Sequence, residues 1–150
     1  MATLRVQEAD FDVSTELAAL TAGRSDIGGV GSFVGVVRSD GNLTALTLEH
    51  YPAMTEHAIR RITDEAERRW SLLGCTVIHR VGRLTAGAQI VLVLAAASHR
   101  GEALEATAFL IDWLKTKAPF WKREEFADGS GEWVEARETD DNAAARWGAA

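Results

Sequence analysis

Between Leu114 and Arg123 the chain reads LKTKAPFWKR, which places Lys115, Lys117, Lys122 and Arg123, four cations within nine residues, on either side of Pro119. Proline disfavours helical geometry in the residue before it, so a helix carrying Lys115 must stop at Ala118 and Lys122 belongs to the next element. The two amines can still converge on one pocket. An amine crowded by other cations and by apolar rings such as Phe120 and Trp121 holds its proton less tightly, and so becomes available as a base or a nucleophile. The competing reading places the lysines at a helix C-terminus, where cations complement the helix dipole and are otherwise solvated.

A second group is Ser98-His99-Arg100, between an apolar strand pattern and the start of a helix. Free N–H groups at a helix N-terminus, beside a guanidinium fork and an imidazole donor, make an anion site suited to a phosphate. The alternative is a capped helix start with His99 in a hydrogen bond. Arg38 closes the apolar stretch Phe33-Val34-Gly35-Val36-Val37, and Arg137 closes Trp133-Val134-Glu135-Ala136; each either grips an anion bidentately or lies on the surface. Phe33 itself reads as core.

The other reactive types are less promising. His50 and His79 fall within strand patterns, without the spacing of metal ligands, and read as hydrogen-bonded structural residues. Cys75 is followed by Thr76, Val77 and Ile78, with no cation to stabilise a thiolate, and reads as a small buried residue. Glu49 and Glu65 have no second acid at a useful spacing, and no Ser-His-Asp grouping stands out. Glycines 28, 29, 31 and 35 lack the Lys-Ser/Thr of a phosphate loop and lead into a strand, so they read as turns and close strand packing.

Composition narrows the setting. At 150 residues and 47% hydrophobic, the chain is sized for one domain, residues 1–150, with a real core. Sixteen Lys and Arg against 22 Asp and Glu leave a net charge of −6, which argues against a general polyanion-binding surface, so any phosphate site must be local. A single cysteine allows neither an internal disulfide nor a cysteine-based zinc cluster and favours a reducing compartment. The N-terminal stretch has no apolar signal region and the longest apolar run, Ile90–Ala97, is too short to span a bilayer, so the expected location is cytoplasmic.

The elements that must position these residues follow from periodicity and punctuation. A strand is expected over Thr3–Gln7, then a helix over Thr15–Ala22 capped by Asp12 or Ser14 and ended by Gly23. Strands Ser32–Arg38 and Leu43–Tyr51 flank the turn sequence Ser39-Asp40-Gly41-Asn42 and are expected to form a hairpin. Pro52 suits the first turn of a helix running to Trp70, with Met54, Ala58, Ile62 and Ala66 as its buried stripe. Cys75–Val81 and Gln89–Ala97 are expected to pair across a turn at Gly82–Gly87. A second helix, Glu102–Lys117, presents Ala103, Ala106, Leu110 and Trp113 on one face. Strands Phe120–Phe126 and Glu132–Arg137 are joined by Ala127-Asp128-Gly129-Ser130-Gly131, and the Asp140–Ala150 tail is expected to hold a short helix. Helices on hairpin-rich antiparallel sheets define an α+β fold.

Taken together, the segments FVGVVR at 33–38, LTLEHYPAM at 46–54, VIHRVG at 77–82, SHR at 98–100, LKTKAPFWKRE at 114–124 and WVEAR at 133–137 resemble the molybdopterin synthase catalytic (large) subunit family. The resemblance runs from about Phe11 to Trp147. It implies an α/β hammerhead fold with an additional antiparallel β subdomain. It also implies a sulfurtransferase that converts cyclic pyranopterin monophosphate into molybdopterin during molybdenum cofactor synthesis. The sulfur donor would be a small ubiquitin-like subunit whose C-terminal Gly-Gly carries a thiocarboxylate, and the assembly a homodimer of large subunits within a heterotetramer. Neither a metal nor another cofactor is implied for this step.

Carried over motif by motif, Lys115 matches the lysine central to catalysis and Lys122 a second lysine serving binding and turnover. Val36, Val37, Arg38, His99, Arg100, Arg123 and Glu124 match positions lining the precursor site, and Phe33 and Arg137 fall in matching motifs with less defined roles. Val36 stands where many members carry lysine, which leaves only a backbone contact there, and Lys117 stands where arginine is also usual. The chain ends Trp147-Gly148-Ala149-Ala150 without Gly-Gly, so sulfur is expected from a separate small subunit. A non-catalytic module that binds a ubiquitin-like tail or a phosphorylated ligand is the alternative for the same basic pocket.

Overall fold

The computed structural model describes residues 2–39, 41–134 and 138–148. The elements run β1 (Thr3–Gln7), α1 (Val13–Thr21), β2 (Gly29–Val36), β3 (Leu43–His50), α2 (Pro52–Trp70), β4 (Gly74–Arg80), β5 (Gly82–Thr85), β6 (Gln89–Ala97), α3 (Arg100–Lys117), β7 (Phe120–Phe126), β8 (Gly131–Val134) and α4 (Glu138–Ala145). They build two four-stranded sheets, ordered β1-β4-β6-β2 and β5-β3-β7-β8. In the first sheet only β1 and β4 run parallel, and the second is antiparallel throughout. The α+β class and the added antiparallel sheet are as expected.

The first sheet carries helices on both faces. One side of β4 and β6 presents Ile78, Leu92 and Leu94 to α1 and Phe11, while the other presents Val77, Val91, Val93 and Ala95 to the main core, which includes Ile59 and Ile62 of α2 and Phe109, Leu110 and Trp113 of α3. Burial on both faces explains why β6 reads as an unbroken apolar run rather than as an alternation. Glycine lets α3 sit close: a Cβ at Gly31 would fall 2.3 Å from the Thr107 hydroxyl and 2.5 Å from the Ala103 carbonyl oxygen. The expectation of close packing at the Gly28–Gly35 glycines is met.

Several expectations need correction. β2 and β3 do not form a hairpin; β2 pairs with β6, and β3 pairs with β5 and β7 in the other sheet. The register of β2 against β6 shifts between Gly35 and Val36, and beyond it the chain leaves one sheet for the other, so the turn sequence joins two sheets rather than two paired strands. Gly82–Thr85, expected as part of a turn, is strand β5, anchored by Leu84 at 2% exposure. Four residues are too few for a periodic signal.

The buried stripe of α2 is Thr55, Ile59, Ile62, Thr63 and Ala66, whereas Met54 is 58% exposed. Two threonines made the stripe look polar. They are satisfied within the fold, Thr63 by donating to the Arg60 carbonyl at 3.0 Å and Thr55 through His50 Nδ1 at 3.2 Å. The expected face of α3 is buried as predicted.

Candidate active site

Helix α3 runs back along β6 and ends where β6 begins, beneath the second sheet. At this junction Lys115 from the last turn of α3 and Lys122 from β7 line one cavity of about 70 Å³. Its walls are apolar: Leu46 and Leu48 from β3, Ile90 and Val91 from β6, Ile111 and Leu114 from α3, with Phe120 and His79 completing the lining. Lysines from different elements do converge across the helix stop, and Phe120 is the ring beside them. Trp121 is not, because neighbouring residues on a strand face opposite ways. It is 47% exposed and meets Tyr51 edge-on at 5.1 Å.

His79 was expected as a hydrogen-bonded structural residue, and its Nδ1 does lie 2.8 Å from the Arg80 carbonyl oxygen. Its ring also stacks on Phe120, with centroids 3.9 Å apart and planes 18° from parallel. Burial pushes the imidazole down to about 3; the Arg80 carbonyl opposes that shift, while the charges of Lys122, Lys115 and His50 add to it. The sequence offered no reason to place this residue beside the lysines. β4 reaches Lys122 only through contact between the two sheets, which no local pattern announces.

The remaining candidates divide between the two ends of α3. Arg38 is exposed just past β2, and its neighbour Val37 donates to the Ala88 carbonyl at 2.8 Å, which puts Arg38 at the end of the sheet where Ile90 and Val91 line the cavity. Val36 is 52% exposed and can offer its backbone, but Val37 is core, and its N–H is already committed. Phe33 is half-buried against the core and covers Gly35, as a packing residue would.

His99 and Arg100 lie at the opposite end of the helix. His99 occupies the cap position without a side-chain capping bond, and both residues are exposed. The fifteen residues from Arg100 to Lys115 correspond to about 22 Å of helix. Within one chain, the His-Arg pair therefore does not share the cavity with the lysines. Nor does Arg123: it follows Lys122 and faces the other side of the sheet, where its guanidinium lies over Gly131, 2.4 Å from where a Cβ would be. Glu124 is on the Lys122 side and half-buried. Arg137 lies outside the described residues.

Cys75 is 1% exposed, and burial pushes its thiol up to about 12, with the charge of Glu67 adding to the shift. It is a packing residue, as expected, and not a sulfur carrier.

The family described as MoaE protein matches residues 6–117. A molybdopterin synthase catalytic subunit from Mesorhizobium japonicum is 58% identical over 147 residues, covering 97% of this chain and 92% of the relative. Among solved structures, a molybdopterin biosynthesis MoaE protein from Burkholderia ambifaria matches with a TM-score of 0.86 and 51% identity, covering 100% of both chains. A complex of subunits 1 and 2 of the molybdopterin-converting factor from Helicobacter pylori shares the fold, with a TM-score of 0.73, 23% identity and 90% of each chain covered.

Proposed function

The chain belongs to the MoaE protein family, and on that premise we propose that it is a sulfurtransferase of molybdenum cofactor synthesis that converts cyclic pyranopterin monophosphate to molybdopterin. Its sulfur comes from the C-terminal thiocarboxylate of a small ubiquitin-like subunit, in the cytoplasm. The observation that carries this reading is the cavity in which Lys115 and Lys122 meet among apolar side chains. In each of two transfers the bond from sulfur to the acyl carbon of the tail breaks, and water supplies the oxygen that leaves the tail a carboxylate. The sulfur forms a carbon–sulfur bond on the precursor as a carbon–oxygen bond there breaks and its oxygen departs as water or phosphate oxygen. Negative charge develops on sulfur and on the acyl oxygen, and two cations held at one cavity, Lys122 half-buried and Lys115 exposed at its edge, stabilise such charge, the more so once the tail covers them. Lys115 engages the acyl end of the tail, and Lys122 supports both binding and turnover.

Arg38, at the same end, holds an anionic group of the precursor through its planar fork. His99 and Arg100 come to the precursor site from a second copy of the chain, since about 22 Å of helix separates them from the lysines of their own copy. This gives the homodimer within a heterotetramer a chemical purpose, because each site is completed across the interface. Val36, through its backbone, and Glu124 border the site; Arg123, on the far face, and Phe33, in the core, act indirectly.

The test is a joint incubation of this chain, the thiocarboxylated small subunit and the precursor, with mass detection of a product carrying two added sulfurs. Formation of that product supports the reading. Precursor or tail bound at the cavity without any conversion would make the chain a binding module instead.

A further inference from the structure

His79 belongs to none of the roles above, yet it lines the lysine cavity. One proton is placed by geometry: a carbonyl oxygen can only accept, so the 2.8 Å contact to Arg80 puts a proton on Nδ1. In the neutral ring Nε2 then keeps a lone pair. The ring plane is fixed as well, by stacking on Phe120 at 3.9 Å, and Lys122 lies two residues from Phe120 on the same face of β7. The charged or titratable groups acting on the ring are Lys122 from β7, Lys115 from α3 and His50 from β3.

We propose that His79 is a positioning residue, whose Nε2 accepts a hydrogen bond from a cavity ammonium, Lys122 in the first place, and aims it at the reacting tail. This deepens the sulfurtransferase reading and rests on it. A carboxylate could aim an ammonium too, but it would neutralise the charge that an anionic tail must meet. A cationic imidazole would repel the ammonium. A neutral acceptor on a rigid ring orients the amine and leaves the cavity positive, and burial keeps the imidazole neutral, holding it well below its ordinary range.

The experiment compares His79→Gln, whose amide oxygen reaches close to the Nε2 position, with His79→Met, which fills similar space without an acceptor of comparable strength. Both are assayed as the full complex with thiocarboxylated small subunit and precursor. His79→Met is expected to lower kcat roughly tenfold with less than about a threefold change in precursor KM, the loss expected for one hydrogen bond of about 1.4 kcal/mol. His79→Gln is expected to recover most of that loss. Equal activity in both variants and wild type, or equal loss in both at unchanged melting temperature, overturns the proposal. Nitrogen-15 spectra of the wild-type chain provide a readout independent of turnover and of variant folding: Nε2 unprotonated from pH 7 down to about 5 is the expected result, and a proton on Nε2 overturns the assignment. If the wild-type complex makes no two-sulfur product, the functional reading fails while the nitrogen spectrum still decides the state of His79.

Discussion

The two ends of α3 carry the same kind of chemistry in opposite settings. At its C-terminus Lys115 meets Lys122 in a cavity walled by both sheets, with a buried imidazole beside them. At its N-terminus His99 and Arg100 stand exposed, and His99 makes no side-chain capping bond to the helix start. Lys115 is itself exposed and Lys122 half-buried, so the two ends differ in their walls rather than in bare exposure: a cavity and a buried imidazole already surround the lysines, whereas the His-Arg end needs a covering surface before its cations gain strength. On the proposed reading, one helix offers half a site at each end. Two copies placed to bring unlike ends together would make two whole ones.

The largest expected effect is at the enclosed end. Lys115→Ala should reduce two-sulfur product formation by about 100-fold or more, the scale seen when a pre-aligned electrostatic group is removed from a closed site. Melting temperature should barely change, because the Lys115 side chain lies outside the buried face of α3. Activity near the wild-type rate would remove the lysine from the chemistry altogether.

Arg100→Ala comes next, with an expected loss of roughly tenfold or more, mostly in precursor KM, for one charge-assisted contact. The stronger test mixes subunits. If each site draws its lysine from one copy and its His-Arg pair from the other, co-assembled Lys115→Ala and Arg100→Ala chains contain one site free of either change, and activity returns above that of either variant alone. No recovery in verified mixed dimers would mean that each copy uses only its own residues.

How much of this could be read from the chain depended on the range of the interaction involved. The helix from Pro52 to Trp70 and the apolar face of α3 announce themselves locally, through a proline at the first turn and through periodicity. The meeting of Lys115 and Lys122 was legible too, because a helix stop between two lysines forces a bend. The separation of His99-Arg100 from the lysines was legible in principle, since helix length alone determines it, but motif resemblance gathers residues without regard to which copy they come from. The position of His79 was not legible. It depends on β4 and β7, strands of different sheets, coming into contact, and the same sheet change turned an expected β2–β3 hairpin into a crossing.

Gly31→Ala tests whether the ends of α3 are held at fixed spacing from the sheet. The new methyl would overlap the Thr107 hydroxyl and the Ala103 backbone, and a backbone neighbour cannot rotate away. Overpacking of this kind costs about 1–3 kcal/mol. A lowered melting temperature is expected, together with a partial loss of activity as α3 lifts from β2. Unchanged stability would mean that the helix is seated loosely enough to absorb the methyl, and that the separation of its ends is not rigidly enforced.

The gentlest probe of the enclosed end is pH. His79 has a folded value near 3 against an ordinary 6.5, so the folded chain resists a proton that the unfolded chain accepts. The stability this represents is fully present above about pH 6.5 and is lost progressively as pH falls toward 3, with a limiting slope of about 1.4 kcal/mol per pH unit. The carboxyls of Asp10 and Glu65 shift the same way, lowered by hydrogen bonds from Gln89 and from Arg69 respectively, but their unfolded values of 3.8 and 4.5 put their losses at lower pH. Denaturant titrations between pH 6.5 and 5 therefore avoid those carboxyl losses, and His79→Gln should flatten the slope in that window. A slope unchanged by the substitution would show that the imidazole takes up its proton in the folded state, and that this end of α3 is wetter than its apolar walls imply.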